Sequence, residues 1–274
     1  MLGAIIGDIV GSVYEFDNHR AKAFQPLFHR RAFFTDDTVC TIAVAEALLR
    51  DQHPALALKS WGRRYRDNGG WGGRFAEWLR SDELGPYGSY GNGAAMRVSP
   101  AGLLGRSLDD AILLAEGVTV VTHNHSEGMK GAAATAAAIY LARAGLAASA
   151  IRQLIATRFS YDLSATVDEI RPTYQFNETC QKTVPQALIC ALTAGSYEDA
   201  LRSAISIGGD SDTIAAIAGG VAEALFGIPQ PIAAQGLGYL PSEMRELLKD
   251  LYRSSEQSAH GVPTSGLVDE RRCA

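Results

Sequence analysis

Between 37 and 50 the apolar residues Val39, Ile42, Ala43, Ala47 and Leu48 recur at the interval of a helix that buries one face. Thr35 stands where such a helix is capped, and Asp36 and Asp37 fall in its first turn, beside the positive end of the helix dipole. A turn at His53 and Pro54 leads into a second helix carrying Trp61 and Tyr65, and a short one is predicted over 75–79. Ser107 with Asp110 marks another start, for a helix that runs to about Thr122. The run His123-Asn124-His125-Ser126 interrupts the pattern, and a strongly alanine-rich helix follows over 128–144. Ser196 with Asp199 caps a helix over 200–207. The last strong helix spans 213–226 and is stopped by Gly227 with Pro229 behind it. Near the N-terminus Gly3, Gly7 and Gly11 recur every fourth residue, so they share one helix face and let it approach a neighbour closely. That helix is expected to deliver Glu15 near its C-terminal end.

Two runs resist any regular element. Gly69-Gly70-Trp71-Gly72-Gly73 and Gly88-Ser89-Tyr90-Gly91-Asn92-Gly93 are too rich in glycine and read as loops. No stretch alternates at period two, and strand–helix alternation is missing. The fold class expected is therefore all-α, a single orthogonal helical domain over 1–253, followed by a loose polar tail over 254–274.

Composition narrows the class. The chain has 274 residues, of which 47% are hydrophobic and 20% charged, so wholesale disorder is excluded. A formal net charge of -5 argues against a nucleic-acid-binding surface as the main business. Of the four cysteines none forms a CxxC pair, and Cys40 and Cys190 fall on apolar helical faces, as expected of a reduced, cytoplasmic protein. The first apolar stretch is broken by Asp8 and Glu15 and lacks a basic flank, so neither a signal peptide nor a membrane span is read there.

The chemistry concentrates at two helix starts. Thr35-Asp36-Asp37-Thr38 and Gly208-Gly209-Asp210-Ser211-Asp212-Thr213 each place two carboxylates and a threonine hydroxyl where one acid suffices for a cap. Like charges so close call for a cation, and hard oxygen donors suit Mg²⁺, Mn²⁺ or Ca²⁺ rather than a thiolate-loving metal. Asp210-Ser211-Asp212-Thr213 fits poorly as a phosphatase DxDx(T/V) loop, because Ile214 occupies the fifth position and the preceding segment reads as a capped helix. An EF-hand is excluded by the missing third acid, glycine and terminal glutamate. The glycines around Asn92 permit close backbone approach, and their N–H groups could hold phosphate oxygens. His123 and His125 are read as polar hydrogen-bonding residues, while His19, His29, His53 and His260 read as surface residues.

Taken together, Gly3-Ala4-Ile5-Ile6-Gly7-Asp8 through Tyr14-Glu15, the two acidic runs, Gly91-Asn92-Gly93-Ala94-Ala95-Met96-Arg97 and Val121-Thr122-His123 resemble the ADP-ribosylglycohydrolase family. That group includes the dinitrogenase reductase-activating glycohydrolase and the ADP-ribosyl-arginine and -serine hydrolases. The resemblance implies an all-α fold with two Mg²⁺ or Mn²⁺ ions at the base of a cleft. Carried over by motif, the metal ligands are Glu15, Thr35, Asp36, Asp37, Asp210, Asp212 and Thr213, with Glu15, Asp36 and Asp37 also catalytic. Ser89, Tyr90, Gly91, Asn92, Gly93 and His123 match positions that contact the ADP-ribose, and Asp8 reads as a support. The partner implied is the ADP-ribose moiety of a modified protein or small molecule, with an ADP-ribosylated nucleic-acid end left open and no membrane involved. A non-catalytic ADP-ribose-binding module and a metal-dependent nucleotide phosphoesterase are the alternatives.

Overall fold

Side-chain caps start the helices where the sequence places them. In the computed structural model, which describes residues 1–259, Thr35 accepts a hydrogen bond from the Asp37 amide, Ser107 from Asp110 and Ser196 from Asp199. The chain forms α1 (Leu2–Gly11), α2 (Asp36–Leu49), α3 (Pro54–Arg64), α4 (Gly73–Arg80) and α5 (Gly93–Met96). It continues through α6 (Ser99–Leu104), α7 (Leu108–Thr119), α8 (Ser126–Arg143), α9 (Ala148–Phe159) and α10 (Val167–Ile170). The last third carries α11 (Cys180–Leu192), α12 (Tyr197–Ser206), α13 (Ser211–Phe226), α14 (Gln230–Gly238) and α15 (Ser242–Ala259). Among the described residues no strand forms, and the all-α class holds. An isolated antiparallel bridge pairs Gly91 with Thr179 and ties the loop before α5 to the start of α11.

The centre of the molecule is the pair α1 and α13. Every residue of α1 is buried, as is 211–222 of α13. The glycine stripe explains their contact. A Cβ at Gly3 would lie 2.4 Å from the Gly219 carbonyl oxygen, one at Gly7 2.0 Å from that of Ala215, and one at Gly11 2.5 Å from the Asp212 Cα. With side chains there the backbones could not meet, and α1 could not carry its C-terminal end up to Asp212. The alanine-rich α8, with 131–142 wholly buried, packs against the same core from the side of α7 and α11. Helix α2 is covered by α3 and by α15.

Three expectations change. Helix α1 ends at Gly11, so Glu15 lies in the turn that follows rather than on the helix. The stretch from 254, expected as tail, is helical where it is described: α15 runs to Ala259, and Ser255 is buried. The rest of that expectation, 260–274, lies outside the described residues, as do His260 and Cys273. Of the histidines read as surface residues, His53 is exposed, whereas His19 and His29 are half-buried and His19 packs its ring against Tyr14 and Phe24.

Candidate active site

Asp8 joins α1 to the start of α2. Its carboxylate accepts from the Thr35 amide at 3.0 Å and hydroxyl at 2.8 Å, and from the Thr38 amide at 3.1 Å and hydroxyl. The start of α2 is thereby pinned to the helix that packs on α13. The start of α13 is shaped by Gly208 and Gly209, whose φ values of +69° and +78° make the tight turn before Asp210. Because α1 touches both, the two acidic helix starts meet. Thr213 Oγ1 donates to Asp37 Oδ1 at 3.3 Å, and carboxylate oxygens of Glu15, Asp210 and Asp212 lie within 4.8 Å of one another.

These acids are held where water cannot screen them. Asp36, Asp37, Asp210 and Asp212 are all buried. Burial first, and then the neighbouring Asp212 and Asp8 charges, push the Asp36 and Asp37 carboxyls well above the ordinary range. Asp210 is raised in the same way by burial and by Asp212, against the opposing hydrogen bond from Asn92. Burial and then Asp212 lift Asp8 to about 7 and Glu15 to about 8. No basic side chain pairs with this group among the described residues, since the ion pairs of the molecule lie elsewhere. Asp37 Oδ2 is buried without a hydrogen-bond partner. Packed carboxylates with an orphaned oxygen are unfavourable as they stand and become favourable around a divalent cation. Only oxygen donors are offered, so the residues fit a hard metal.

The acids line a cavity of about 360 Å³. Glu15, Asp36, Asp37, Asp210 and Thr213 belong to its wall, whereas Asp212 and Thr35 do not. The Thr35 hydroxyl is already donated to Asp8 while it accepts from the Asp37 amide. The glycine-rich 69–73 loop closes over Asp36. Gly70 has φ +78°, and a Cβ on it would lie 2.2 Å from Asp36 Oδ1. Trp71 stacks on Phe75 with centroids 5.7 Å apart and donates its indole N–H to the Arg66 carbonyl, so its ring serves the packing of this loop.

The same cavity is also lined by Ser89, Tyr90, Gly91, Asn92, Gly93, Arg74, Arg97 and His123. Asn92 joins this set to the acids: its buried amide donates to Asp210 Oδ2 at 2.6 Å and to Thr183 Oγ1 at 3.2 Å. That amide orients a carboxylate, a role the sequence did not suggest. His123 is buried, with its Nε2 edge toward Gly91 and Gly93. Burial, then the Arg97 and Arg74 charges, hold it well below the ordinary histidine range, so it is neutral at physiological pH. His125 instead caps α8, accepting from the Glu127 amide at 3.1 Å, and its ring lies 5.1 Å from exposed Tyr90.

Arg74, Arg97, Tyr87 and Glu178 also line the cavity and were not singled out from the sequence. Arg97 was legible only as the end of the GNGAAMR run. Its burial to 1% exposure is the signal, and that is visible only in the fold.

Comparison with known proteins adds the following. A family model described as ADP-ribosylglycohydrolase matches residues 1–261. ADP-ribosylhydrolase ARH3 of Mus musculus is 26% identical, over 84% of this chain and 83% of that protein. ADP-ribosylarginine hydrolase Tri1 of Pseudomonas putida is also 26% identical, over 83% of this chain and 70% of its own length. A solved structure titled "ADP-ribosylglycohydrolase-related protein complex" superposes with a TM-score of 0.69 at 25% identity, covering 93% of this chain and 97% of that one.

Proposed function

This chain belongs to the ADP-ribosylglycohydrolase family, and on that premise we propose that it hydrolyses the glycosidic bond between ADP-ribose and an acceptor, releasing ADP-ribose. The observation that carries the reading is a single cavity lined both by unpaired acids and by cationic groups with a glycine loop. A ligand that carries both a diol and a diphosphate complements it. The relatives' printed names, ADP-ribosylhydrolase and ADP-ribosylarginine hydrolase, support the same class.

Glu15, Thr35, Asp36, Asp37, Asp210, Asp212 and Thr213 are the residues we assign to hold two Mg²⁺ or Mn²⁺ ions. Those ions would supply Lewis acidity toward ribose hydroxyls and water at neutral pH. Asp8 anchors Thr35 and Thr38, and Asn92 anchors Asp210, so both fix carboxylate and hydroxyl positions, and Asn92, which also lines the cavity, stays among the residues assigned to the ADP-ribose. Asp36 or Asp37 orients the attacking water and takes its proton as the oxygen approaches the anomeric carbon. The glycosidic electron pair leaves with the acceptor atom, which takes a proton from solvent to balance the one the carboxylate receives from water, and the surrounding carboxylates stabilise the oxocarbenium-like charge that develops. Gly93, Ser89 and His123 supply donors toward the diphosphate and neighbouring ribose, Gly91, whose N–H is donated to Ser89 Oγ at 3.2 Å, lets the backbone come close, and Tyr90 offers an exposed ring beside them.

The test is hydrolysis of arginine- and serine-linked ADP-ribosyl peptides with Mg²⁺ or Mn²⁺ and after EDTA. Metal-dependent release of free ADP-ribose with its diphosphate intact is the expected result. AMP or inorganic phosphate as product would replace this reading with phosphoester chemistry. Tight ADP-ribose binding with no turnover on any linkage would reduce the chain to a binding module.

A further inference from the structure

Arg97 is a fully buried cation that no carboxylate pairs with among the described residues. It is 1% exposed, its Nε has no hydrogen-bond partner, and its guanidinium faces the Phe75 ring at 5.9 Å. Nη2 donates to Thr122 Oγ1 at 2.6 Å and stands 3.4 Å from His123 Nδ1, while Thr122 Oγ1 is 2.8 Å from the same Nδ1. A guanidinium can only donate. The Thr122 oxygen therefore accepts from Arg97, and its own proton is free to go to Nδ1. A proton on Nδ1 would instead point at Nη2 and the hydroxyl together, against a positive charge. The arrangement is satisfied with Nδ1 as acceptor and the imidazole proton on Nε2. The Nε2 edge faces Gly91 and Gly93, 3.6 and 3.4 Å from where their Cβ atoms would stand. The same Thr122 also fixes the loop, since its carbonyl accepts from the Tyr87 and Ser89 amides at 3.4 Å each.

We propose that Arg97 is a positioning residue that acts through the Thr122 hydroxyl to lock His123 as the Nε2–H tautomer, so that the cavity presents a fixed N–H donor to an oxygen acceptor of the ligand. The assignment of that acceptor to ADP-ribose rests on the function proposed above; the tautomer lock does not. The charged and titratable groups facing His123 are Arg97 from the α5–α6 junction, Arg74 from α4 and the Tyr87 ring at 6.1 Å. Both cations oppose a second proton on the ring, so the donor persists through the neutral range without becoming an imidazolium.

Two readouts test this on the full chain. The first is ¹H–¹⁵N long-range NMR of the imidazoles, with His123 assigned by the resonance lost in His123→Gln. The wild type is expected to show Nε2–H with no titration between pH 5.5 and 8. Thr122→Val, which keeps the shape and removes the relay, is expected to give mixed tautomers, and Thr122→Ser to restore the single one. The second is calorimetric affinity for ADP-ribose, expected to fall about tenfold in Thr122→Val with recovery in Thr122→Ser. Arg97→Gln is the direct variant, and the threonine pair decides the matter if it fails to fold. An Nδ1–H wild type, a His123 titrating near its ordinary value, or a Thr122→Val protein with unchanged tautomer and affinity overturns the proposal. An Nε2–H lock that Thr122→Val breaks, in a wild-type protein that does not bind ADP-ribose, upholds the relay and refutes the function proposed for the cleft.

Discussion

The acidic and the basic groups of the cavity both hold buried charge, yet they solve the problem differently. At the acidic end four aspartates and Glu15 are packed without a basic partner, and one oxygen of Asp37 has no hydrogen bond at all. At the other end Arg97 is equally deprived of a counter-ion, but its donors are partly absorbed by a neutral relay through Thr122 to His123. The acid end is incomplete as protein alone, because among the described residues no basic side chain offsets the carboxyls packed there. The basic end is nearly complete as protein alone. On the proposed function the former takes cations and the latter an anionic or oxygen-rich ligand, and the difference is open to measurement.

The largest expected effect separates the ends by charge. Asp37→Asn should lower turnover by about 10³-fold, since it removes a carboxylate from the site of developing positive charge. In the metal-free protein the same change should raise the melting temperature by about 2 °C or more, because it relieves buried repulsion. Paired activity and EDTA-treated thermal-melt measurements check this. A metal-free protein destabilised by the asparagine would mean that the carboxylate is satisfied structurally and the cation argument fails. Removal of metal from the wild type should likewise abolish activity, with recovery on adding Mg²⁺ or Mn²⁺.

Next comes a geometric break. Gly11→Ala places a Cβ about 2.5 Å from the Asp212 Cα, so α1 and α13 must separate where they carry the acid end. Overpacking of this kind costs about 1–3 kcal/mol. Metal affinity should fall further than ADP-ribose affinity, because the basic end stands on α4, α5 and the break before α8. Calorimetry with each ligand separates the two, and equal losses would show that the ends are not mechanically independent.

A smaller effect comes from the residues that support the site without forming it. Asn92→Ala leaves Asp210 Oδ2 without its donor and should cost about 10–100-fold in metal affinity or activity. Arg74→Gln, at the other end, should weaken ADP-ribose binding about tenfold and leave metal affinity unchanged. A crossed result in either titration would merge the two ends into one network.

How much of this could be read from the sequence depends on whether the cause is local. Thr35 as a cap, the two acid-bearing helix starts and the glycine stripe are local patterns, and each appears in the fold where its chemistry requires. The end of α1 was misread because the apolar run continues through Val13 and Tyr14, while the backbone leaves the helix at Ser12. The tail was placed at 254 because the composition turns polar there, whereas α15 runs on to Ala259 and buries Ser255. Helix α11 contains Pro185, a residue that argues against a helix until its tertiary packing is known. The pairings Asn92 with Asp210 and Arg97 with Thr122 and His123 join segments 118, 25 and 26 positions apart, and no local period announces them.

The subtlest prediction concerns pH. Asp8 and Glu15 carry folded-state pKa values raised to about 7 and about 8 by burial and by Asp212. A carboxyl whose pKa is higher in the folded chain binds its proton more tightly there than when unfolded. Its contribution to stability is therefore greatest below the unfolded value near 4, and is lost as pH rises toward the folded value. For the metal-free chain this loss spans roughly pH 4 to 8. A divalent cation competes with those protons, so its binding strengthens over the same interval. The melting-temperature gain on adding saturating Mg²⁺ or Mn²⁺ should then grow steadily from pH 5.5 to 8. The Arg97 end has no raised acid to contribute, so the gain on adding ADP-ribose to the metal-free chain should be nearly flat over that range. Thermal melts with each ligand at four pH values distinguish the ends. A metal-induced gain that is flat, or that shrinks as pH rises, would mean the acids are already ionised in the metal-free fold and that their repulsion is relieved by some other means.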